Sequence, residues 1–170
     1  IVPLGIEAAK NPDGSIPASG SLAAFQILVS VPGSMTEDLT IPAIPMAIVS
    51  PAARFHLVEA DQKKWAFLKH IVRECGLSSQ VYGDRLSRLL PRLPADLRFS
   101  LVVSRAVGNP EEWVPSLKEH LEDGARIALF QGTPDAPAIA GFEREQAVAL
   151  PRGTSNYLVL LTFHVEHRPT

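Results

Sequence analysis

A doubly wound α/β fold is predicted here, with a mostly parallel sheet and an antiparallel hairpin at its C-terminal end. Three observations predict it. Apolar strand-like runs alternate with helix-like stretches from residue 25 to residue 130, the pattern of a parallel sheet with helices on both faces. Two further strand-like runs follow residue 144 with only Pro151, Arg152 and Gly153 between them, which makes a hairpin. One early strand ends on an acidic residue, Glu59, two residues before a capped helix, and open α/β sheets bind ligands beyond the carboxyl ends of their strands.

Each element follows from local chemistry. Residues 1–24 carry Pro3, Pro12, Gly14, Pro17 and Gly20, a turn-rich lead-in. Residues 25–31 form the first buried strand, stopped by Pro32 and Gly33. Residues 42–50 read as a short helix with proline near its start, where a missing N–H costs little. Residues 54–59 form the next strand. The helix after it is the best marked: Asp61 caps it, Trp65, Leu68, Val72 and Cys75 share one face, and Gly76 ends it. On that face Cys75 is expected in the core rather than as a nucleophile. Residues 80–82 form a short strand before the Gly83-Asp84 turn. Residues 99–104 form a buried strand. A helix is expected from about residue 110 to 121 despite Pro115, then a turn at Asp123-Gly124. Strands at 125–130 and 157–164 complete the sheet.

Length and composition bound the answer. A chain of 170 residues suits one domain able to bury a core without staples, here residues 25–170 behind the lead-in. The lone Cys75 can form no internal disulfide and no thiolate metal site by itself, so an intracellular, reducing home is expected. No apolar run reaches the roughly 18 residues of a membrane span, and no charged-then-apolar leader follows Ile1, so neither membrane nor signal peptide is read. Net charge is uneven: −3 over residues 1–53, +5 over 54–105 and −4 over 106–170. The basic middle is either a face for an anionic partner or the ordinary charge of helix surfaces.

The candidate chemistry is sparse. Glu59, at the tip of the second strand, stands where a carboxylate holds the ribose hydroxyls of a nucleotide-like cofactor, pointing to a methyltransferase or a dehydrogenase. Its plainer role is to cap the next helix or face water. Gly83 and Asp84 follow the third strand, where a loop can pass an adenine ring, although Gly-Asp is also a common turn. Arg105 follows a buried strand at the ligand edge. There a guanidinium can meet a phosphate or orient a base, or simply make a surface salt bridge. Of the five histidines only His164 and His167 have metal-ligand spacing, and no metal is expected. Neither a Gly-x-Ser-x-Gly elbow nor a phosphate-cradling Gly-x-x-x-x-Gly-Lys-Ser/Thr loop occurs.

Several runs together resemble one family. They are Ile41-Pro42-Ala43-Ile44-Pro45-Met46-Ala47, Leu57-Val58-Glu59, and Lys63-Lys64-Trp65-Ala66-Phe67-Leu68. Val72-Arg73-Glu74-Cys75-Gly76-Leu77, Val81-Tyr82-Gly83, and above all Val103-Ser104-Arg105-Ala106-Val107 continue them, with the segment from Leu121 to Gly132. Over roughly residues 40–165 the chain resembles the bacterial 16S rRNA guanine-N7 methyltransferases called RsmG or GidB. The resemblance implies a Rossmann-like methyltransferase fold, S-adenosylmethionine as cofactor, and the 16S rRNA or small ribosomal subunit as partner. It implies a cytoplasmic enzyme, expected to be a monomer. It assigns Gly33, Glu59, Ala60, Gly83, Asp84, Arg85 and Ser104 to the cofactor, Arg105 to the reaction, and Lys63 and Lys64 to RNA.

The chain departs from that family in two places. The family's Asp-x-Gly-Ser-Gly-x-Gly loop should precede Ile41, yet residues 34–40 contain no glycine, and Glu37 and Asp38 bring two carboxylates there. Gly33-Ser34 is then the loop's remnant before a short insertion, and the close backbone approach that glycine permits is lost. The family's Lys-Gly after the fifth strand is Gln131-Gly132 here. These departures keep open a non-catalytic RNA- or protein-binding module on the same fold, and more distantly a small-molecule methyltransferase.

Overall fold

The computed structural model describes residues 26–30, 43–105, 109–151 and 157–165, with the backbone alone for 26–30. The lead-in at residues 1–24, Gly33, Glu37, Asp38 and His167 lie outside the described residues.

Seven strands form one sheet: β1 (Gln26–Ser30), β2 (Arg54–Val58), β3 (Ser79–Tyr82), β4 (Phe99–Arg105), β5 (Leu121–Gln131), β6 (Phe142–Ala149) and β7 (Tyr157–Phe163). Their order across the sheet is β3-β2-β1-β4-β5-β7-β6. The first five run parallel, and β7 lies antiparallel between β5 and β6. The chain winds outward from β1 to β3, then returns to place β4 on the other side of β1. The junction of β1 and β4 is therefore the topological switch point, where open α/β sheets leave a crevice.

Two-residue periodicity divides the side chains between two cores. Phe55 and Leu57 of β2 and Leu158 and Leu160 of β7 face one side, with Ala43 and Ala47 of α1 (Ala43–Val49) and Leu68 and Val72 of α2 (Gln62–Glu74). Val58, Val159 and Leu161 face the other, with Leu89 of α3 (Leu86–Leu89) and residues of the 110–120 segment. A register shift between Phe99 and Leu101 puts Phe99 on the same side as Val102, the usual effect of one unpaired residue in a ladder. His56, buried among these strands, meets the Tyr82 hydroxyl through Nδ1 at 3.0 Å, and Tyr82 in turn donates to Gln80 Oε1. No described helix is long and apolar enough to cross a membrane.

The helix starts and stops have identifiable causes. Asp61 Oδ1 accepts from the backbone N–H groups of Lys63 and Lys64, both at 3.0 Å, capping α2. At the other end Gly76 turns left-handed (φ +60), and the Gly76 and Leu77 amides donate to the Arg73 and Val72 carbonyls, a Schellman closure. This closure corrects the reading of Cys75. Leu77 folds back against the core beside Val72, and Cys75, at the cap itself, is left exposed.

The helix expected over 110–121 is also corrected. Only α4 (Pro110–Trp113) is α-helical, and Val114–His120 is 3₁₀. Pro115 removes one amide donor and its ring crowds the carbonyl four residues back, which the tighter turn avoids. Val114, Leu117 and His120, three apart, are all buried, as three residues per turn requires. Leu121 opens β5 instead of closing the helix, and Gly124 (φ +77) lies inside that strand. A four-residue helix, α3, follows Asp84, where the Gly83-Asp84 pair predicts only a turn.

Two substitutions test this frame. Nothing lies within 4 Å of a side chain built at Gly76, so Gly76→Ala should cost only its left-handed backbone, about 1–2 kcal/mol. Leu68, fully buried, should cost about 2–5 kcal/mol when cut to Ala. Urea unfolding followed by circular dichroism checks both.

Candidate functional site

Sheet register brings the sequence-predicted residues to one edge. Val58 pairs with both Ser30 and Tyr82, and Ser30 pairs with Ser104. One residue beyond this row stand Glu59, Gly83 and Arg105. Glu59 and Arg105 thus flank the β1/β4 switch point from strands two spacings apart, about 10 Å. Ser104 is buried and Arg105 half-buried.

Glu59 is the unusual member. Its residue is only 3% exposed, so it neither faces water nor serves as the helix cap, which is Asp61. Its Oε1 accepts from the Asp61 amide at 2.7 Å, and its own amide donates to the Tyr82 carbonyl at 3.0 Å. Its Oε2 is buried and has no hydrogen-bond partner among the described residues. Burial pushes its carboxyl above the ordinary glutamate value. The Asp61 amide and the Lys64 charge oppose that rise, while the Asp61 charge adds to it. Asp61, fully exposed, is shifted the other way by the two amides it caps and by the Lys64 and Lys63 charges. An acceptor held in place with one oxygen unused is suited to a hydroxyl donor supplied from outside the chain.

The remaining predicted residues surround this carboxylate unequally. Ala60 is exposed beside it. Lys63 is exposed and Lys64 half-buried on the first turn of α2, with Lys64 close enough to act on Glu59. Asp84 Oδ1 accepts from the Arg85 amide at 2.8 Å, and its Oδ2 is ion-paired with Arg92 at 2.6 Å. Arg85 is exposed at the start of α3. Arg92 and Trp65, which lies against Gly83, carry no site signal in the sequence. Arg92 is eight residues from Asp84 with a helix between, and Trp65 has the spacing of a core residue. Gln131, in place of the family's lysine, turns its amide into the following loop, donating to the Thr133 and Asp135 carbonyls.

Cavities of about 250 and 580 Å³ are lined chiefly by residues near the amino ends of β2 and β3, such as Arg54, Leu77, Ser79 and Gln80. Among the described residues no cluster of His, Cys, Asp and Glu could hold a metal ion.

The raised Glu59 value has a consequence for stability. Between the ordinary glutamate value, 4.5, and its higher folded value, the folded state binds more protons than the unfolded chain. Stability from this group is therefore lost as pH rises through that window. Glu59→Gln removes the linkage. The stability of the wild type relative to Glu59→Gln should fall as pH rises above 4.5 and then level off. Urea titrations in steps from pH 4 to pH 8 measure this, and a difference that is flat or rises with pH would contradict it.

A family model described as rRNA small subunit methyltransferase G matches residues 40–154. The ribosomal RNA small subunit methyltransferase G of Solibacter usitatus is 39% identical over 98 residues, covering 57% of this chain and 44% of that protein. Its namesake from Chromobacterium violaceum is 28% identical over 115 residues, covering 67% and 49%. The chain thus spans about half the length of the curated relatives it matches. Among solved structures, a putative methylase from Haemophilus influenzae superposes with a TM-score of 0.62 at 14% identity, covering 84% of this chain and 88% of that one. A mutant of MtNAS in complex with S-adenosylmethionine gives 0.57 at 18%, covering 83% and 55%. The fold is the Rossmann-like one of those solved structures, and the chain belongs to the rRNA small subunit methyltransferase G family.

Proposed function

We propose that this chain carries the cofactor-binding and catalytic edge of an S-adenosylmethionine-dependent methyltransferase acting on a guanine N7 of small-subunit ribosomal RNA. The observation that carries this reading is the buried, unpartnered Oε2 of Glu59. Ribose hydroxyls are donors of the kind that oxygen lacks, so the residues present fit the cofactor. Family membership and a solved fold relative in complex with S-adenosylmethionine support the same reading.

When bound, S-adenosylmethionine supplies a methyl group activated by its own sulfonium charge. In this reading Glu59 and Ala60 hold the ribose side, and the loop of Gly83, Asp84 and Arg85 walls the adenine. Gly33 marks the remnant of the glycine loop. Ser104 and Arg105 form the floor on which the guanine is oriented. A guanidinium at that position can meet a base edge or a phosphate with two parallel hydrogen bonds. Guanine N7 is already a lone-pair nucleophile, so no general base is required, and the protein's contribution is positioning and the exclusion of water. Lys63 and Lys64, beside the same edge, would meet RNA phosphates. The partner is then 16S rRNA or the small subunit, met in the cytoplasm by a monomer.

The glycine-free stretch at 34–40 favours a second reading, a binding module that has lost its cofactor. Calorimetric titration with S-adenosylmethionine and its demethylated product separates the two. The expected result is micromolar binding that weakens about 10- to 100-fold in Glu59→Ala, the worth of a hydrogen bond to a charged group. No binding at millimolar ligand would leave the module as the better account.

Arg105→Ala should leave cofactor affinity within about threefold while transfer to a small-subunit RNA fragment falls at least about 100-fold. RNA affinity should also drop steeply between about 50 and 200 mM salt, as several phosphate contacts require. A flat response would point to a small-molecule substrate instead.

A further inference from the structure

Gly83 is a glycine for a reason its own backbone does not supply. It is not in the left-handed region, yet a Cβ built on it would lie 3.0 Å from both Cδ2 and Cε2 of Trp65 and 3.1 Å from Cδ1. The indole plane therefore lies directly against the backbone of the loop that leaves β3, closer than a side chain would ordinarily allow. Trp65 is itself held on several sides. Its amide donates to the Asp61 carbonyl at 2.9 Å in the first turn of α2, and Lys69 Nζ stands 4.7 Å from the ring centroid, within range of a cation–π attraction. Its indole N–H is buried without a hydrogen-bond partner among the described residues. That is an unfavourable arrangement, which a phenylalanine core residue would avoid.

The far end of the same loop is clamped as well. Asp84 is tied to the Arg85 amide and to Arg92. The loop thus rests on a fixed aromatic plane at Gly83 and on an ion pair at Asp84, one residue from the edge where Glu59 stands.

We propose that Trp65 is a positioning residue for the ligand's base: its indole face, in contact with Gly83, sets the height of the Gly83-Asp84-Arg85 loop against which the base of a nucleoside ligand packs. This rests on the cofactor reading given above and deepens it. Trp65 touches no reacting atom. It acts through the loop, and Gly83 is the position that allows the contact. A side chain at Gly83 lifts the loop, and a smaller residue at Trp65 lets it sink, so either change alone misplaces the wall. Both together restore part of the spacing, because the new methyl group enters the volume that the indole vacates.

A double-mutant cycle tests this, with S-adenosylmethionine as the titrant in calorimetry and melting temperature recorded for every variant. Gly83→Ala and Trp65→Leu should each weaken binding at least about tenfold, while the double variant loses clearly less than the product of the two. In transfer assays the KM for S-adenosylmethionine should rise while kcat at saturation changes less than about twofold, a split that general loss of packing would not produce. Fluorescence gives an independent reading, since Trp65 and Trp113 are the two tryptophans. In Trp113→Phe the remaining Trp65 emission should change on saturation with S-adenosylmethionine. If that variant does not fold, the difference in emission between wild type and Trp65→Phe serves the same purpose.

Losses that simply multiply, or Trp65 emission indifferent to the ligand, would overturn the positioning role and leave the cofactor reading intact. If Gly83→Ala does not fold, an unchanged affinity in Trp65→Leu alone would overturn it. A wild-type chain that binds no S-adenosylmethionine at millimolar concentration overturns the cofactor reading and this proposal with it.

Discussion

At the corner between β2 and α2, a short chain of hydrogen bonds ties the sheet, a buried carboxylate and a helix start into one unit. The Glu59 amide donates to the Tyr82 carbonyl, extending the parallel ladder one residue past β2. The Glu59 carboxylate accepts from the Asp61 amide, and the Asp61 carboxylate accepts from the Lys63 and Lys64 amides in the first turn of α2. Removing any link loosens more than itself. Without the cap, the first turn of α2 loses the partner for its orphan donors. With the turn go the Trp65 plane and the Lys64 charge that partly offsets the burial of Glu59.

This corner also explains how an expensive group is tolerated. A buried carboxylate with one oxygen unsatisfied is unfavourable unless something compensates. Here the Asp61 and Ala60 amides and the Lys64 ammonium compensate only in part, and burial still raises the carboxyl above its ordinary value. A fold under selection for stability alone would place glutamine or an apolar residue there. Retention of the acid fits a site whose second oxygen is satisfied by a ligand, the common pattern in which local strain concentrates where function lies.

The architecture supplies the rest by geometry rather than by chemistry. Parallel register aligns the last residues of β2, β1 and β3 with Ser104 near the end of β4, so groups separated by more than forty residues in sequence meet at one edge. On one face α1 and α2, and on the other α3 and the 114–120 turn, are anchored by buried side chains in their own cores. Positions such as Ser104 and Arg105 are reached at the end of a seven-residue strand, which suits a reaction that needs orientation more than acid or base.

What the sequence determined by itself was whatever depends on neighbours in the chain. The strand and helix alternation, the Asp61 cap, the Gly76 stop and the terminal hairpin all follow from short-range spacing, and each stands in the structure close to where spacing put it. The motifs around Glu59 and Ser104-Arg105 likewise marked the family, which the match over residues 40–154 shows. Tertiary structure decided what depends on distant partners. Cys75 is exposed because Leu77 folds back beside Val72 under the closure of α2. The 110–120 segment tightens to 3₁₀ from Val114 onward, around Pro115, with His120 meeting the Leu97 carbonyl. Glu59 is buried with one free oxygen, Asp84 pairs with Arg92, and Trp65 touches Gly83, none of which has a signature in linear order. Periodicity reports which face a residue lies on, but only packing reports what stands opposite it.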